Sequence, residues 1–453
     1  MDRSAALSDL AFLEQALVER FAYLKTPAMD HQTGDLRPVD HPALFESLRR
    51  RLPATVEPTW LGLELQKLLA HFIDGHAATN VRPSPLGFLP FLTGSVGNAL
   101  VAFQPDLSGF LDPDHPYLLA LDGLPVGRWL DAAAAYAPKG SQQLVQRESR
   151  RWLRAVARLR EDLGLPQYDE VEVQLGDAER ASVRTLRLPV ADRPSQFGLW
   201  PRRETSNLDD NVGYLRLPQM RPEAADEVRA ALERFAGTAG LIVDVRGNGG
   251  GTRDALLALL PAIMPADAPP RIVNVAAHRS WDGFPQDHLA ARYLYPVTDD
   301  RWEPRERTAL DEFMAQFTPE WYPPAADFSE WHAMLVTSAG TAAPQYRDRP
   351  VAVLLDAGCF SATDVFLSAL KGLPNVVLVG EPSSGGSARA QVVELPHSGI
   401  KARFASMASF QASGQLFDGR GVQPDILVNP EPTFFLKGGE DLVLERAQQL
   451  VLA

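Results

Sequence analysis

Three short segments carry the residue types that could do chemistry. In Val353-Leu354-Leu355-Asp356-Ala357-Gly358-Cys359-Phe360-Ser361-Ala362-Thr363-Asp364 a buried apolar strand turns sharply into a helix, with Ser361 at the helix N-terminus. A serine there serves as an N-cap, or as a nucleophile at the positive end of a helix whose oxyanion is received by the following amide. The surrounding residues are not a G-x-S-x-G elbow. A second apolar strand, Leu241-Ile242-Val243-Asp244-Val245, runs through Arg246 into Gly247-Asn248-Gly249-Gly250-Gly251-Thr252. Its amides can face an anion or an oxyanion, and a tight structural turn needs the same glycines. A dinucleotide loop would need a further glycine where Thr252 stands, and a P-loop would need a lysine. The third segment is Asp74-Gly75-His76. Histidine is suited to take a serine proton near neutral pH, although a lone histidine is as readily structural. His76 precedes Ser361 by 361 − 76 = 285 residues, so only tertiary structure could join them. Cys359 offers a competing thiol, and Asp364 reads as a helix N-terminal cap. His278 and His288 border an aromatic stretch, and His397 falls in a turn.

The elements that must position these residues are legible in outline. Leu7, Leu10, Leu13, Leu17 and Phe21, then Leu61, Leu65, Leu68, Leu69 and Phe72, recur at helical spacing, which predicts an N-terminal helical domain over 1–81. A module over 82–192 follows. It has a strand at 117–121, the turn Asp122-Gly123, a helix from 126 to 136, a helix over 141–163 and strands at 171–175 and 183–188. The arginines of the 141–163 helix, Arg147, Arg150, Arg154, Arg158 and Arg160, are expected on its solvated face. From Val212 onward strands at 213–217, 241–245, 272–276, 351–355 and 376–379 alternate with helices at 223–235, 253–263 and 362–370. That alternation defines an α/β layer structure, here assigned to 205–453. The stretch 278–345, with Trp281, Trp302, Trp321 and Trp331, fits the pattern poorly and reads as a lid or groove wall, or as packing aromatics.

Composition narrows the function. Of 453 residues 44 are Lys or Arg and 57 are Asp or Glu, a net charge of −13 that disfavours nucleic acid and anionic membrane as main partners. With 45% hydrophobic residues and 22% charged there is ample apolar surface for packed cores. A single cysteine excludes an intramolecular disulfide framework and a cysteine-rich zinc site. The opening stretch is interrupted by Asp9, Glu14 and Glu19, so no signal peptide is read, and no apolar run reaches membrane-spanning length. The expectation is a cytoplasmic protein.

Taken in order, Gly213-Tyr214-Leu215-Arg216-Leu217, Val243-Asp244-Val245-Arg246-Gly247-Asn248-Gly249-Gly250-Gly251, Phe360-Ser361-Ala362-Thr363-Asp364, Val379-Gly380-Glu381-Pro382 and Gly419-Arg420-Gly421-Val422-Gln423-Pro424-Asp425 resemble the tail-specific, or C-terminal processing, serine proteases. The resemblance spans about 205–430. It implies a crotonase-like catalytic core of ββα units, an N-terminal helical region and a PDZ-like module between them. It also implies a serine endopeptidase that attacks peptide or protein substrates through Ser361. The oxyanion would be held by the amides of Ala362, Gly250 and Gly251. Where many members carry the basic lysine of a Gly-Lys-Gly loop, this chain has Gly386, which excludes a Ser–Lys dyad in that loop. The Gly-Gly loop is instead similar to the tricorn core protease and retinoid-binding-protein branch. There the base is a histidine ahead of the PDZ-like module, matched by His76, and the acid is a glutamate, matched by Asp418 with one methylene fewer. The serine that precedes the tricorn histidine is replaced by Gly75. No metal or organic cofactor is implied, and homo-oligomers are common in the family. Two other readings of the same fold are a non-catalytic protein that binds peptides or apolar ligands, and a serine hydrolase acting on a non-peptide ester.

Overall fold

Strands buried on both faces must read as unbroken apolar runs, and parallel strands need helices to cover them. The computed structural model describes residues 1–29, 36–198, 200–201, 203–281, 288–339 and 346–453. In it Val212–Arg216, Gly240–Asp244, Val351–Leu355 and Val376–Gly380 form a parallel layer. Ser206–Leu208 adds antiparallel at one edge and Ile426–Leu427 adds parallel at the other. The helices Ala224–Arg234, Asp254–Ile263 and Ala362–Leu370 cover one face, their Val228, Leu256 and Phe366 packing with Leu215, Val243 and Val353. On the other face Tyr214, Ile242 and Leu354 meet Val443, Leu444 and Ala447 of the C-terminal helix Leu442–Leu452, which the sequence reading did not include. The chain is therefore a mixed α/β protein, as expected.

A second, antiparallel sheet runs in the order Tyr295–Pro296, His332–Val336, Arg271–His278, Met407–Phe410. Two of these strands come from the 278–345 stretch, of which 282–287 and 340–345 lie outside the described residues. Trp331 and Phe317 pack edge-on against Phe410, and Trp302 Nε1 donates to Pro296 O at 2.9 Å. Of the two readings of this stretch the structure supports packing. Its strands are too short and too broken by proline to show a period of two.

The module sheet follows the order Leu92–Val96, Ala99–Phe103, Tyr117–Leu121, Glu170–Gly176, Val183–Pro189, with helices Val126–Ala134, Gln142–Leu153 and Val156–Asp162. The single helix expected over 141–163 is broken at Ala155. Leu89 N takes the carbonyl of Arg154 at 2.9 Å and Ala157 N donates to Gly87 O, so tertiary hydrogen bonds replace intrahelical ones. The solvated-face reading of the arginines also fails here. The fully buried Arg160 guanidinium donates to Asp122 Oδ1 and Oδ2 and to the carbonyls of Tyr168 and Glu170. Arg158 pairs with Glu161 and Asp162.

The N-terminal helices Arg3–Arg20, His41–Arg51 and Pro58–Leu69 share one core with the hairpin Ala390–Glu394/Lys401–Ala405. Residues at opposite ends of the chain therefore fold as one unit. Among the described residues no helix is long and apolar enough to cross a membrane.

Breaking one partner of a buried ion pair leaves an uncompensated charge. Asp122→Asn, which keeps the shape and tolerates the left-handed backbone at φ 46°, is expected to lower stability by about 3 kcal/mol. Urea denaturation of the variant beside the parent measures this.

Candidate active site

Ser361 is placed by the turn between strand Val351–Leu355 and helix Ala362–Leu370, and that turn is fastened to the glycine loop. Phe360 N donates to Asn248 O at 3.0 Å, while Asn248 Oδ1 accepts from Gly250 N at 2.9 Å and from Thr363 Oγ1 at 2.8 Å. Ser361 itself sits at φ 62°, ψ −118°, a conformation costing a non-glycine residue on the order of 1–3 kcal/mol. Although it occupies the N-cap position, its side chain makes no capping bond. Its hydroxyl faces His76 Nε2 at 3.2 Å instead, so the N-cap reading gives way. The competing thiol is remote from reactivity: Cys359 is fully buried, donates to Val245 O, and burial pushes its pKa well up.

His76 is held from behind by its backbone. The short strand Ala78–Thr79 pairs with Lys401–Ala405, and Arg403 Nε donates to His76 O at 2.9 Å. Asp74 Oδ1 accepts from His76 N at 2.8 Å and Asp74 Oδ2 from Ala405 N at 2.7 Å. The imidazole lies against the Phe360 ring, centroids 4.5 Å apart. Its Nδ1 is buried without a hydrogen-bond partner, 3.9 Å from Asp74 Oδ1.

Asp418, expected to hold Nδ1, does not hydrogen-bond to the ring. It accepts from Tyr23 Oη at 2.8 Å, Ser387 N at 3.1 Å and Gly75 N at 3.3 Å. The aspartate side chain is short and three donors already claim it. Asp74, Asp418 and His76 nevertheless form one cluster, a ligand atom of each within 4.8 Å of the others. Each carboxylate oxygen of the two acids already accepts a protein N–H or O–H. Burial, with the facing carboxylate adding to it at Asp74, holds both acids above the ordinary carboxylate range. Burial first, then the Arg403 and Arg292 charges, pushes His76 down to about 3, so it stands neutral with a lone pair available.

Phe360 explains the two missing side chains. A Cβ at Gly75 would lie 2.8 Å from its ring, and one at Gly386 would lie 2.3 Å from it. The ring occupies the space into which a serine before the histidine, or a lysine in the 385–387 loop, would have to grow. Gly250, at φ +97°, has room for no Cβ because Phe360 O, Ser361 Cβ and Ala362 N are all within 3 Å of that point. Its N–H is spent on Asn248 Oδ1, so Gly250 contributes close approach and is not free as an oxyanion donor. Gly249 and Gly251 line the cleft. The N–H of Ala362, first residue of its helix, has no intrahelical acceptor.

Several residues at the site were not read from the sequence in that role. Tyr23 and Asn248 are isolated polar residues without a spacing signature, and Asp74 and Arg403 become recognisable only through strand pairing. The helix Gln142–Leu153 docks onto the site's loops: Ser141 Oγ and Gln143 Nε2 donate to the carbonyls of Ser384 and Ser383, and the Arg147 guanidinium lies over the Phe360 ring. Arg147, Arg151 and Arg154 line the cleft, so the solvated-face reading of this helix is corrected here as well. His278 and His288 are buried among their own ring neighbours, and His397 N caps onto Asp9 in the hairpin turn. Asp425 ties Leu378 N and Lys371, and Arg246 ties Asp244 and Asp441.

Asp364 does not cap its own helix. Its Oδ1 accepts from Ser383 Oγ and Gly385 N, its Oδ2 is buried without a partner, and burial raises its pKa to about 8. A carboxyl raised on folding contributes stability in full below its unfolded pKa and loses it as pH climbs through the folded value. Asp364→Asn is therefore expected to flatten the fall of stability between about pH 4 and pH 8. Thermal melts at both ends should show the variant's advantage growing with pH.

Residues 211–428 match the model of Peptidase family S41. Among solved structures, mature CPAF is similar at a TM-score of 0.68 and 18% identity, covering 99% of this chain and 96% of that one. Mature CPAF complexed with lactacystin matches at 0.65 and 16%, covering 99% and 97%. A peptidase-like protein from Parabacteroides merdae matches at 0.50 and 16%, covering 100% and 96%. At these identities the structures share the fold. Residues 211–428 of the chain are thus similar to peptidase family S41.

Proposed function

We propose that this serine peptidase cleaves peptide bonds through an acyl-enzyme at Ser361, with His76 as general base and Asp418 as the acid behind it. The observation that carries the reading is the 3.2 Å approach of His76 Nε2 to Ser361 Oγ across 285 residues of sequence. His76 takes the hydroxyl proton as Oγ attacks the carbonyl carbon, and the developing oxyanion turns toward the amides of Ala362 and Gly251. His76 then returns the proton to the leaving amine, and water attacks the ester by the same route in reverse. Proton uptake at Nε2 makes the ring cationic. The Asp74–Asp418 pair, held together at the Nδ1 side, stabilises that charge, and Tyr23 and two amides keep Asp418 in place. The 82–192 module acts as a PDZ-like peptide platform whose helix Gln142–Leu153 forms one wall of the cleft.

The rival reading, a binding protein on the same fold, predicts an unreactive serine. A fluorophosphonate probe near pH 8 is expected to label Ser361 stoichiometrically by peptide mass spectrometry. Labelling should vanish in Ser361→Ala and slow by about 10²-fold or more in His76→Ala. Folded protein that stays unlabelled would sink the catalytic reading.

A further inference from the structure

The cleft that holds Ser361 and His76 has a volume of about 1240 Å³, and its charged lining is one-sided. Seven arginines face it against two acids, Glu148 and Asp192, in a chain whose net charge is −13. On the Ser361 side Arg292 and Arg403 line the cleft, and Arg253 and Arg389 neighbour Arg292 without lining it. Arg253 is 3% exposed and donates to neutral acceptors: Arg292 O, Met334 Sδ, Asn274 Oδ1 and Ser387 Oγ. The Nε atoms of Arg253, Arg292 and Arg389 are buried with no hydrogen-bond acceptor. Among the described residues none of these three, nor Arg403, has a carboxylate within 4.0 Å. Elsewhere the buried arginines are paired, Arg160 with Asp122 and Arg246 with Asp244 and Asp441. Buried charge without a counter-charge is costly and persists where something else supplies it.

We propose that Arg292, supported by Arg389 and Arg253, is a subsite for an acidic side chain of the substrate, so that the preferred substrates are peptides carrying Asp or Glu beside the scissile bond. The proposal rests on the cleft being the peptide-binding site. Arg292 lines the cleft together with Ser361, and a guanidinium receives a carboxylate through paired N–H donors. Burial and the neighbouring Arg389 hold Arg292 at about 10, which marks a guanidinium lacking a stabilising anion. Arg147, Arg151 and Arg154 on the opposite wall add a positive field that steers anionic peptides inward. There is a catalytic consequence. The charged and titratable groups around His76 are Asp74, Asp418, Arg292 and Arg403, with Tyr23 behind Asp418. A carboxylate docked on Arg292 offsets one of the two positive charges that depress the base.

The test uses matched peptides with one residue near the scissile bond changed among Glu, Gln and Lys, each with a free and an amidated C-terminus. Turnover is read on the wild type, and binding by fluorescence anisotropy on Ser361→Ala. Glu peptides should exceed Gln peptides by about tenfold or more in kcat/KM and in affinity, Lys peptides should be poorest, and the advantage should shrink with salt. In Arg292→Gln and Arg389→Gln the Glu/Gln ratio should fall to within about twofold. The acid limb of the Arg292→Gln pH profile should also move to higher pH, and Arg292→Lys, which keeps the charge, should return it toward the wild-type position. Arg151→Gln, on the opposite wall, should slow association of Glu peptides and weaken the salt dependence while the Glu-over-Gln preference persists, and it keeps the test alive if a buried variant fails to fold. Equal handling of Glu and Gln by an enzyme that labels and cleaves would overturn the subsite and leave the peptidase reading intact. A gain tied to the free C-terminus alone would overturn the side-chain assignment. Selective Glu binding without turnover or labelling would support the subsite and overturn the peptidase reading.

Discussion

The site depends on one constraint: an imidazole must be presented to a serine from the far end of the chain. His76 follows a helix whose core is shared with the 390–405 hairpin, so packing of the N-terminal helices and placement of the imidazole are the same event. The pairing of Ala78–Thr79 with Lys401–Ala405 fixes the register, Arg403 holds the carbonyl of His76, and Asp74 bridges its amide to Ala405. None of these bonds touches the ring. They fix the backbone, and the backbone leaves the ring a narrow choice between Ser361 on one side and the acid pair on the other.

Phe360 makes the second decision. One ring fills the volume that a side chain at Gly75 or Gly386 would need. The same ring lies tilted against His76 and beneath Arg147, linking the imidazole to the helix that walls the cleft. The cost of the arrangement falls on the acids. Asp74, Asp418 and Asp364 are buried, and burial raises each of them. They are kept in place by amide and hydroxyl donors, and among the described residues no lysine or arginine pairs with them. Charge is thus segregated, with the acids on one side of the His76 ring and Arg292 and Arg403 in the cleft lining.

The sequence by itself determined the α/β layer. The run at 351–355 is apolar on every residue and that at 241–245 on all but Asp244, because both faces are buried, and the turns that follow them carry the glycines and the serine that a sharp strand-to-helix connection requires. The identity of Ser361, His76 and Asp418 as candidates was also legible, because motif order along the chain survives without knowledge of contacts. What pattern could not settle was whether a residue pairs with something distant. The helix expected over 141–163 broke because the carbonyl of Arg154 met Leu89 N and the N–H of Ala157 met Gly87 O. Its arginines were taken for solvated ones because charge alone does not distinguish Arg160, matched with Asp122, from Arg147 in a cleft wall. Asp418 was expected on Nδ1 from its position, but tertiary donors from Tyr23, Gly75 and Ser387 claimed its oxygens first. Gly250 was expected to donate, but Asn248 had taken its N–H. Local periodicity reports burial and turn geometry. Which donor reaches which acceptor is decided by packing between segments hundreds of residues apart, and that only the tertiary structure supplies.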